Sequence, residues 1–266
     1  MSLTPEAGFW FDSTGQVAAA TAMKAGFVPM THPNFGHSMG TLWVQLVLDN
    51  PGPPTDRLLR VSPALLEQIE LWQPGDPVKP HRSGGLALPM AEREMPDRNM
   101  LFPLSLTHGT QVLYLRLASP SVLQPVIELW QPSAWARETR LYDLKTALMN
   151  GALMMVVLLT LAYILTTREV FWAWYALGIL AYATYEVSYD GFAAVWIWPA
   201  RPGLSLTILP AALALALSAL TLFFMRFMPM TGLGRARWLL WSVPLSALLG
   251  LLLVYGVDYL SGPVRL

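Results

Sequence analysis

Two arginines and two tryptophans set the chemical possibilities of the first half of this chain. Arg93 follows a proline-containing loop, and Arg116 sits inside the apolar run LYLRL, where a charge is costly unless it is paired or turned outward. In a functional reading, their planar guanidinium forks hold an anionic or hydroxylated ligand. In a structural reading, each bonds a carboxylate or a turn carbonyl, and strand alternation turns Arg116 away from the face of Leu115 and Leu117. Strand periodicity already satisfies the second. Trp43 and Trp72, with Trp130, pose the same choice between a platform for stacking a sugar and a buried core, and burial is the default for tryptophan.

Other reactive groups do not converge. Glu67, Glu70, Glu92, Glu94 and Asp97 show no spacing that pairs an acid with a base, and no glycine-rich loop is built to cradle a phosphate. The four histidines, His32, His37, His81 and His108, are scattered, with only His32 and His37 close in sequence. There is no cysteine, which removes disulfides, thiolate nucleophiles and zinc knuckles together. A net charge of +0 offers no basic surface for nucleic acid. The first half is therefore expected to bind rather than catalyse, with no cofactor, no metal and no nucleic-acid partner.

The elements that must position these residues fall into two kinds. Residues 42–48 (LWVQLVL) and 112–117 (VLYLRL) are apolar, aromatic and β-branched runs bounded by turn formers. Shorter strands are expected at residues 58–61, 67–72 and 101–106, and DNPGPP at residues 49–54 is a turn that no helix crosses. Strands at this spacing with no helical repeat between them predict a β-sandwich over residues 1–132. An internal echo runs through it: SPALLEQIELWQP at residues 62–74 and SPSVLQPVIELWQP at residues 119–132. Either these are equivalent strands of a pseudo-symmetric sandwich, or strand ends simply favour such residues, since a repeat architecture needs more copies.

Residues 133–145 mix charges in a helix-compatible joint capped by Ser133, and a different composition follows. Residues 147–165 (ALMNGALMMVVLLTLAYIL) hold no formal charge and suffice to cross ~30 Å of hydrocarbon. Further spans are expected at about residues 170–189, 204–228 and 238–260. Trp172, Trp174, Trp196 and Trp198 stand where an aromatic belt would place them. The expected architecture is an N-terminal all-β, jelly-roll-like sandwich followed by a multi-pass helical membrane domain of about four spans over residues 146–266, with the lipid bilayer as its partner. Within the spans Glu186 and Asp190 lie one turn apart beside Tyr182, Tyr185 and Tyr189. They form either an intramembrane polar site or the interfacial end of the second span.

The pieces LWVQLVLDN (42–50), SPALLEQIELWQ (62–73), GLALPMAER (85–93), FPLSL (102–106), LYLRLASP (113–120) and PVIELWQP (125–132) occur in an order and spacing that carry a resemblance. Residues 27–132 resemble the extracellular sensory domain, type 2, of bacterial seven-transmembrane receptors with diverse intracellular signalling modules. The likeness continues through residues 149–191, where family members carry their first two spans. It implies a two-sheet sandwich similar to carbohydrate-binding jelly rolls, a small polar ligand, and a sandwich outside the cytoplasm of a bacterial inner membrane. Gln45 departs from the family, whose tryptophan strand usually carries an arginine there.

Charge alone does not orient the chain. A sandwich outside puts Arg168, Arg226, Arg235 and Arg237 on inner joints, and a sandwich inside puts Arg137, Arg140, Lys145, Arg201 and Arg265 there. Family members have seven spans and a cytoplasmic output module, and their outer domain implies an export signal. The expectation is therefore a piece of a longer receptor, missing sequence at both ends, or a degenerate copy acting through a separate cytoplasmic signalling protein or as a homo-oligomer. The sequence thus predicts a membrane sensory receptor that is not an enzyme and binds a small extracytoplasmic ligand. The alternative is a membrane-anchored binding or scaffolding subunit that does not signal.

Overall fold

The computed structural model describes residues 7–30, 34–35, 40–74, 78–119, 123–227 and 236–261, the side chains of 236–239 and 257–261 excepted. His32, His37, Arg235 and Arg265 lie outside the described residues, as does the side chain of Arg237. In chain order the strands are β1 (Gly8–Asp12), β2 (Val28–Pro29), β3 (Thr41–Asn50), β4 (Thr55–Ser62), β5 (Gln68–Trp72), β6 (Arg82–Gly84), β7 (Met100–Leu106), β8 (Gly109–Ala118) and β9 (Val126–Trp130). A one-turn helix, α1 (Ala19–Ala22), follows β1, and a 3-10 turn occupies Met90–Glu92.

The strands form a six-stranded sheet, β2-β1-β3-β8-β5-β6, and a three-stranded sheet, β7-β4-β9, with every pairing antiparallel. From β3 to β5 and again from β6 to β9 each successive strand changes sheet, the connectivity of a jelly-roll-like sandwich. The DNPGPP turn makes one such crossing. There the Asn50 carboxamide donates to the carbonyls of Pro53, Leu106 and Thr107 at 3.0, 3.2 and 3.2 Å.

Alternation along the strands builds the core. Leu42, Val44, Leu46, Leu115 and Leu117 of the large sheet are buried, as are Leu59, Val61, Phe102 and Ile127 of the small one. Burying each such side chain contributes roughly 1.5–3 kcal/mol. The intervening residues, among them Trp43, Arg116, Arg60 and Glu128, therefore lie on the outer faces of the two sheets.

The helices are α2 (Pro132–Thr167), α3 (Trp172–Tyr189), the short α4 (Phe192–Trp196), α5 (Leu204–Phe227) and α6 (Ala236–Ser261). The charged joint and the first apolar stretch are thus one unbroken helix of 36 residues. Where four spans were expected, two helices among the described residues, α2 and α5, are long and apolar enough to cross a membrane, and α6 holds a shorter apolar stretch, Leu240–Gly256. α3 carries Tyr175, Tyr182, Tyr185 and Glu186, which lower its apolar character.

The chain divides into two compact units. One comprises Met1–Leu141 with Tyr189–Ser205, and the other Tyr142–Ser188 with Leu206–Leu266. In the helical unit small residues let α3 and α5 approach: a Cβ on Gly178 would stand 2.7 Å from Leu220 Cγ, and Ala212, Ala216 and Ala219 are buried. An aromatic cluster of Phe171, Trp172, Tyr175 and Phe223 closes one end of this contact, with ring centroids 5.0–6.0 Å apart across it.

Candidate functional site

Three of the four sequence-read ligand residues meet on the outer face of the large sheet. Trp43 (β3) and Trp72 (β5) lie with ring centroids 6.1 Å apart, and Trp43 stands opposite Arg116 in the β3–β8 register. Arg116 pairs with Glu70 at 3.2 Å and donates to the Gly15 carbonyl at 3.2 Å. The Trp72 indole N–H donates to the same Glu70 carboxylate at 3.1 Å. α1 packs over this face with Trp10, Val17 and Phe27, leaving Trp43 only 1% and Trp72 only 7% exposed. In this arrangement the chain itself partners the Trp72 indole and the Arg116 guanidinium, whereas the Trp43 indole N–H is buried without a hydrogen-bond partner.

The cover is held by an Asp12-centred turn. The Asp12 carboxylate accepts from the Thr14 hydroxyl at 2.6 Å, the Thr14 N–H at 2.9 Å and the Val17 N–H at 2.9 Å. Burial works against its ionisation, but these bonds, with one from Gly15, outweigh it and hold its pKa below the ordinary carboxylate value of 3.8.

Arg93, the fourth residue, sits apart from the others at 8% exposure. Its guanidinium donates to the carbonyls of Gly85 and Leu88, at 2.7 and 3.3 Å, and lies 3.5 Å from the Met100 sulfur. Burial lowers its pKa to about 10, so it remains a cation at neutral pH. It pins the loop 85–93 from inside.

That loop grips the segment between α3 and α5, which the sequence did not assign to the sandwich. The Met90 N–H donates to the Pro199 carbonyl at 3.0 Å, and the Arg98 guanidinium lies 5.1 Å above the Phe192 ring. Gly191 adopts φ 81°, and a Cβ there would stand 2.9 Å from the Arg98 carbonyl, so the close approach requires glycine twice over. Ala193 and Ala194 are buried, and Trp198, read from sequence as an aromatic belt residue, donates its indole N–H to the buried Ser205 hydroxyl at 2.9 Å.

Glu186 and Asp190, read from sequence as either a polar site within the span or its interfacial end, stand at the C-terminal end of α3. Glu186 lies in the last turns of α3 and hydrogen-bonds Tyr182, whereas α3 ends at Tyr189 and Asp190 follows it outside the helix.

On the small sheet a second arginine, Arg60, repeats the arrangement of Arg116. It pairs with Glu128 at 2.7 Å, and the Trp130 indole N–H donates to Glu128 at 3.1 Å. The two IELW copies thus occupy matching registers. Arg60 faces Glu128 in β4–β9 and Arg116 faces Glu70 in β8–β5, while Leu58 faces Trp130 where Tyr114 faces Trp72. Above this second clamp lies Trp135 in the first turn of α2, its ring 5.5 Å from the Arg60 guanidinium carbon and 5.6 Å from the Trp130 ring. Arg60 also donates to Asn99 at 3.2 Å, at the end of the loop that holds residues 191–199.

A cleft of about 380 Å³ opens at the ends of β5, β6, β7 and β8. Its floor includes the buried Leu104 and Leu113, and its rim carries Gln73, Arg82, Ser105 and Gln111, with His81 beside them. No local pattern marks it in the sequence, because its walls come from four separate strand ends. His108, by contrast, contacts the Gly52 carbonyl at 3.2 Å. Among the described residues no group of three or more His, Cys, Asp or Glu side chains is placed to hold a metal ion.

Comparison with known proteins gives two family matches. The family described as 7TMR-DISM extracellular 2 matches residues 4–131, and that described as 7TM diverse intracellular signalling matches residues 142–264. No curated protein sequence matches the chain. A solved structure, a family 35 carbohydrate binding module from Clostridium thermocellum, is similar at 11% identity and a TM-score of 0.24, covering 48% of this chain and 93% of that one.

Proposed function

The chain belongs to the seven-transmembrane receptors with diverse intracellular signalling modules, and from that premise we propose that it senses a small ligand outside the cytoplasm and passes a conformational shift into the membrane helices. The observation that carries this reading is the second clamp. The first turn of α2 is seated on the sandwich through Trp135, Arg60 and Trp130, and the same helix continues without a break to Thr167. At 1.5 Å per residue it is roughly 54 Å long, enough for a contact on the sandwich and a crossing of the bilayer.

The docked segment 189–205 supplies a second connection, since its two ends are the ends of α3 and α5. A ligand that prefers one arrangement of the sandwich biases both connections, and the shift is limited by its differential affinity for the two arrangements. The proposed setting is a bacterial inner membrane crossed by α2, α3, α5 and α6, with the shift delivered to a signalling module.

The absence of cysteine makes the topology testable by single-cysteine labelling. Lys79→Cys, Thr166→Cys and Arg201→Cys stand at exposed positions. In intact spheroplasts a membrane-impermeant maleimide is expected to label positions 79 and 201 directly and position 166 only after permeabilisation. Labelling of position 166 but not 79 in intact spheroplasts would sink the reading.

A further inference from the structure

We propose that the cleft at Arg82 binds a small hydroxylated carboxylate, and that this ligand competes with Glu94 for the Arg82 guanidinium. The inference rests on the sensory reading above and gives the sensor a site and a trigger.

The lining decides the ligand class. Among the described residues that line the cleft, Arg82 is the charged group and none is a carboxylate; Glu94 and Asp56 meet the lining as partners of Arg82 and Ser105, so a ligand that takes the Arg82 guanidinium is an anion. A carboxylate matches the planar fork of a guanidinium through two parallel N–H···O bonds, which a spherical anion cannot make. The Ser105 hydroxyl donates its proton to Asp56 at 2.9 Å, which leaves its oxygen facing a ligand as an acceptor. Gln111 has one N–H engaged by Thr107 at 2.6 Å and keeps its carbonyl oxygen as a second acceptor. Acceptors on the rim call for hydroxyl donors on the ligand. A bare anion would satisfy Arg82 alone, and a neutral polyol would satisfy the rim alone. The cleft volume falls in the ordinary range for small-molecule sites, about 300–1,000 Å³.

Glu94 supplies the trigger. Its carboxylate forms an ion pair with Arg82, yet its side chain is 51% exposed against 23% for Arg82. Release returns the half-exposed Glu94 to water, and the ligand must take its place on the Arg82 guanidinium, whose Nε and Nη1 are buried. Glu94 directly follows Arg93 and lies between the two grips on the docked segment, Met90 on Pro199 and Arg98 on Phe192. Displacing it therefore changes the tether of the loop that holds residues 191–199.

The test is calorimetric titration of the full chain in lipid nanodiscs with gluconate, using sorbitol and acetate as the neutral and bare-anion comparators. Gluconate is expected to bind saturably, at least about tenfold tighter than either comparator, and Arg82→Gln to weaken it at least about tenfold. Glu94→Gln, at a half-exposed position that folding tolerates, is expected to tighten gluconate binding about three- to tenfold by removing the competitor. No saturable gluconate binding, unchanged binding in Arg82→Gln, or unchanged or weaker binding in Glu94→Gln would each overturn the proposal. Binding is read without any signalling output. Gluconate binding with position 79 shielded in intact spheroplasts would sink the sensory reading and leave the site standing.

Discussion

The outer faces of the two sheets carry the same clamp, an arginine, a glutamate on the neighbouring strand and a tryptophan two residues on, and they close it with different parts of the chain. On the large sheet Trp43 comes from within the sheet, and the Asp12 turn and α1 seal the top. On the small sheet the covering ring is Trp135, which belongs to the helix that enters the membrane. One clamp is thus internal to the sandwich, whereas the other makes the sandwich and α2 share a cluster. The difference teaches that the same pairing of arginine, glutamate and tryptophan serves either to close a sheet on itself or to join it to a neighbouring helix, depending on which part of the chain supplies the covering ring.

The sharpest way to break this comparison is to remove each lid. Trp43→Ala empties a fully buried site and is expected to destabilise the sandwich by about 4–5 kcal/mol, whereas Trp135→Ala is expected to cost about 3 kcal/mol. Thermal unfolding followed by near-UV circular dichroism checks the order. A larger loss in Trp135→Ala than in Trp43→Ala would reverse the roles assigned to the two clamps.

Smaller effects come from the arginines. Arg60→Met severs Glu128, Asn99 and the Trp135 ring, and is expected to cost about 2 kcal/mol. Arg116→Met severs Glu70 and the Gly15 carbonyl, for about 1 kcal/mol. Chemical denaturation of the two variants side by side tests whether the helix-linked clamp carries the extra contacts.

Acid should separate the clamps more gently. Because the folded-state pKa of Asp12 lies below its ordinary value, the unfolded chain takes up the proton first. The stability from Asp12 is fully present above the ordinary carboxylate range and is lost as pH falls through the lowered value. Asp12→Asn is expected to flatten that acid limb, and acid to loosen the Asp12 turn that carries the Gly15 contact on Arg116. A pH series of Trp fluorescence in wild type and Asp12→Asn reads this.

Much of the sandwich is legible in the sequence because alternation is local: β3, β4, β5, β7 and β8 announce themselves by their apolar faces. The edge strands β2 and β6 do not, because Val28–Pro29 and Arg82–Gly84 are too short to show a period and owe their form to the partner strand. The IELW echo is plain in the sequence. Its exchange of partners between sheets is not, since β4 finds β9 and β5 finds β8 through contacts distant in the chain. Site residues divide the same way. Trp43, Trp72 and Arg116 could be grouped by strand type, but Arg93 reads as a loop cation and its burial on carbonyls depends on the loop's path. Arg82 carries no signal at all, because a cleft is made where strand ends meet. The apolar residues at 192–198 read equally well as an aromatic belt, and only their packing places them on the loop 85–99.

The most direct measurement is hydrogen exchange of the amides from Trp135 to Leu141 in the full chain held in nanodiscs, comparing Arg60→Met with Arg116→Met. The account predicts that these amides exchange faster in Arg60→Met and at the wild-type rate in Arg116→Met. Equal exchange in the two variants would contradict the claim that the second clamp holds the membrane helix.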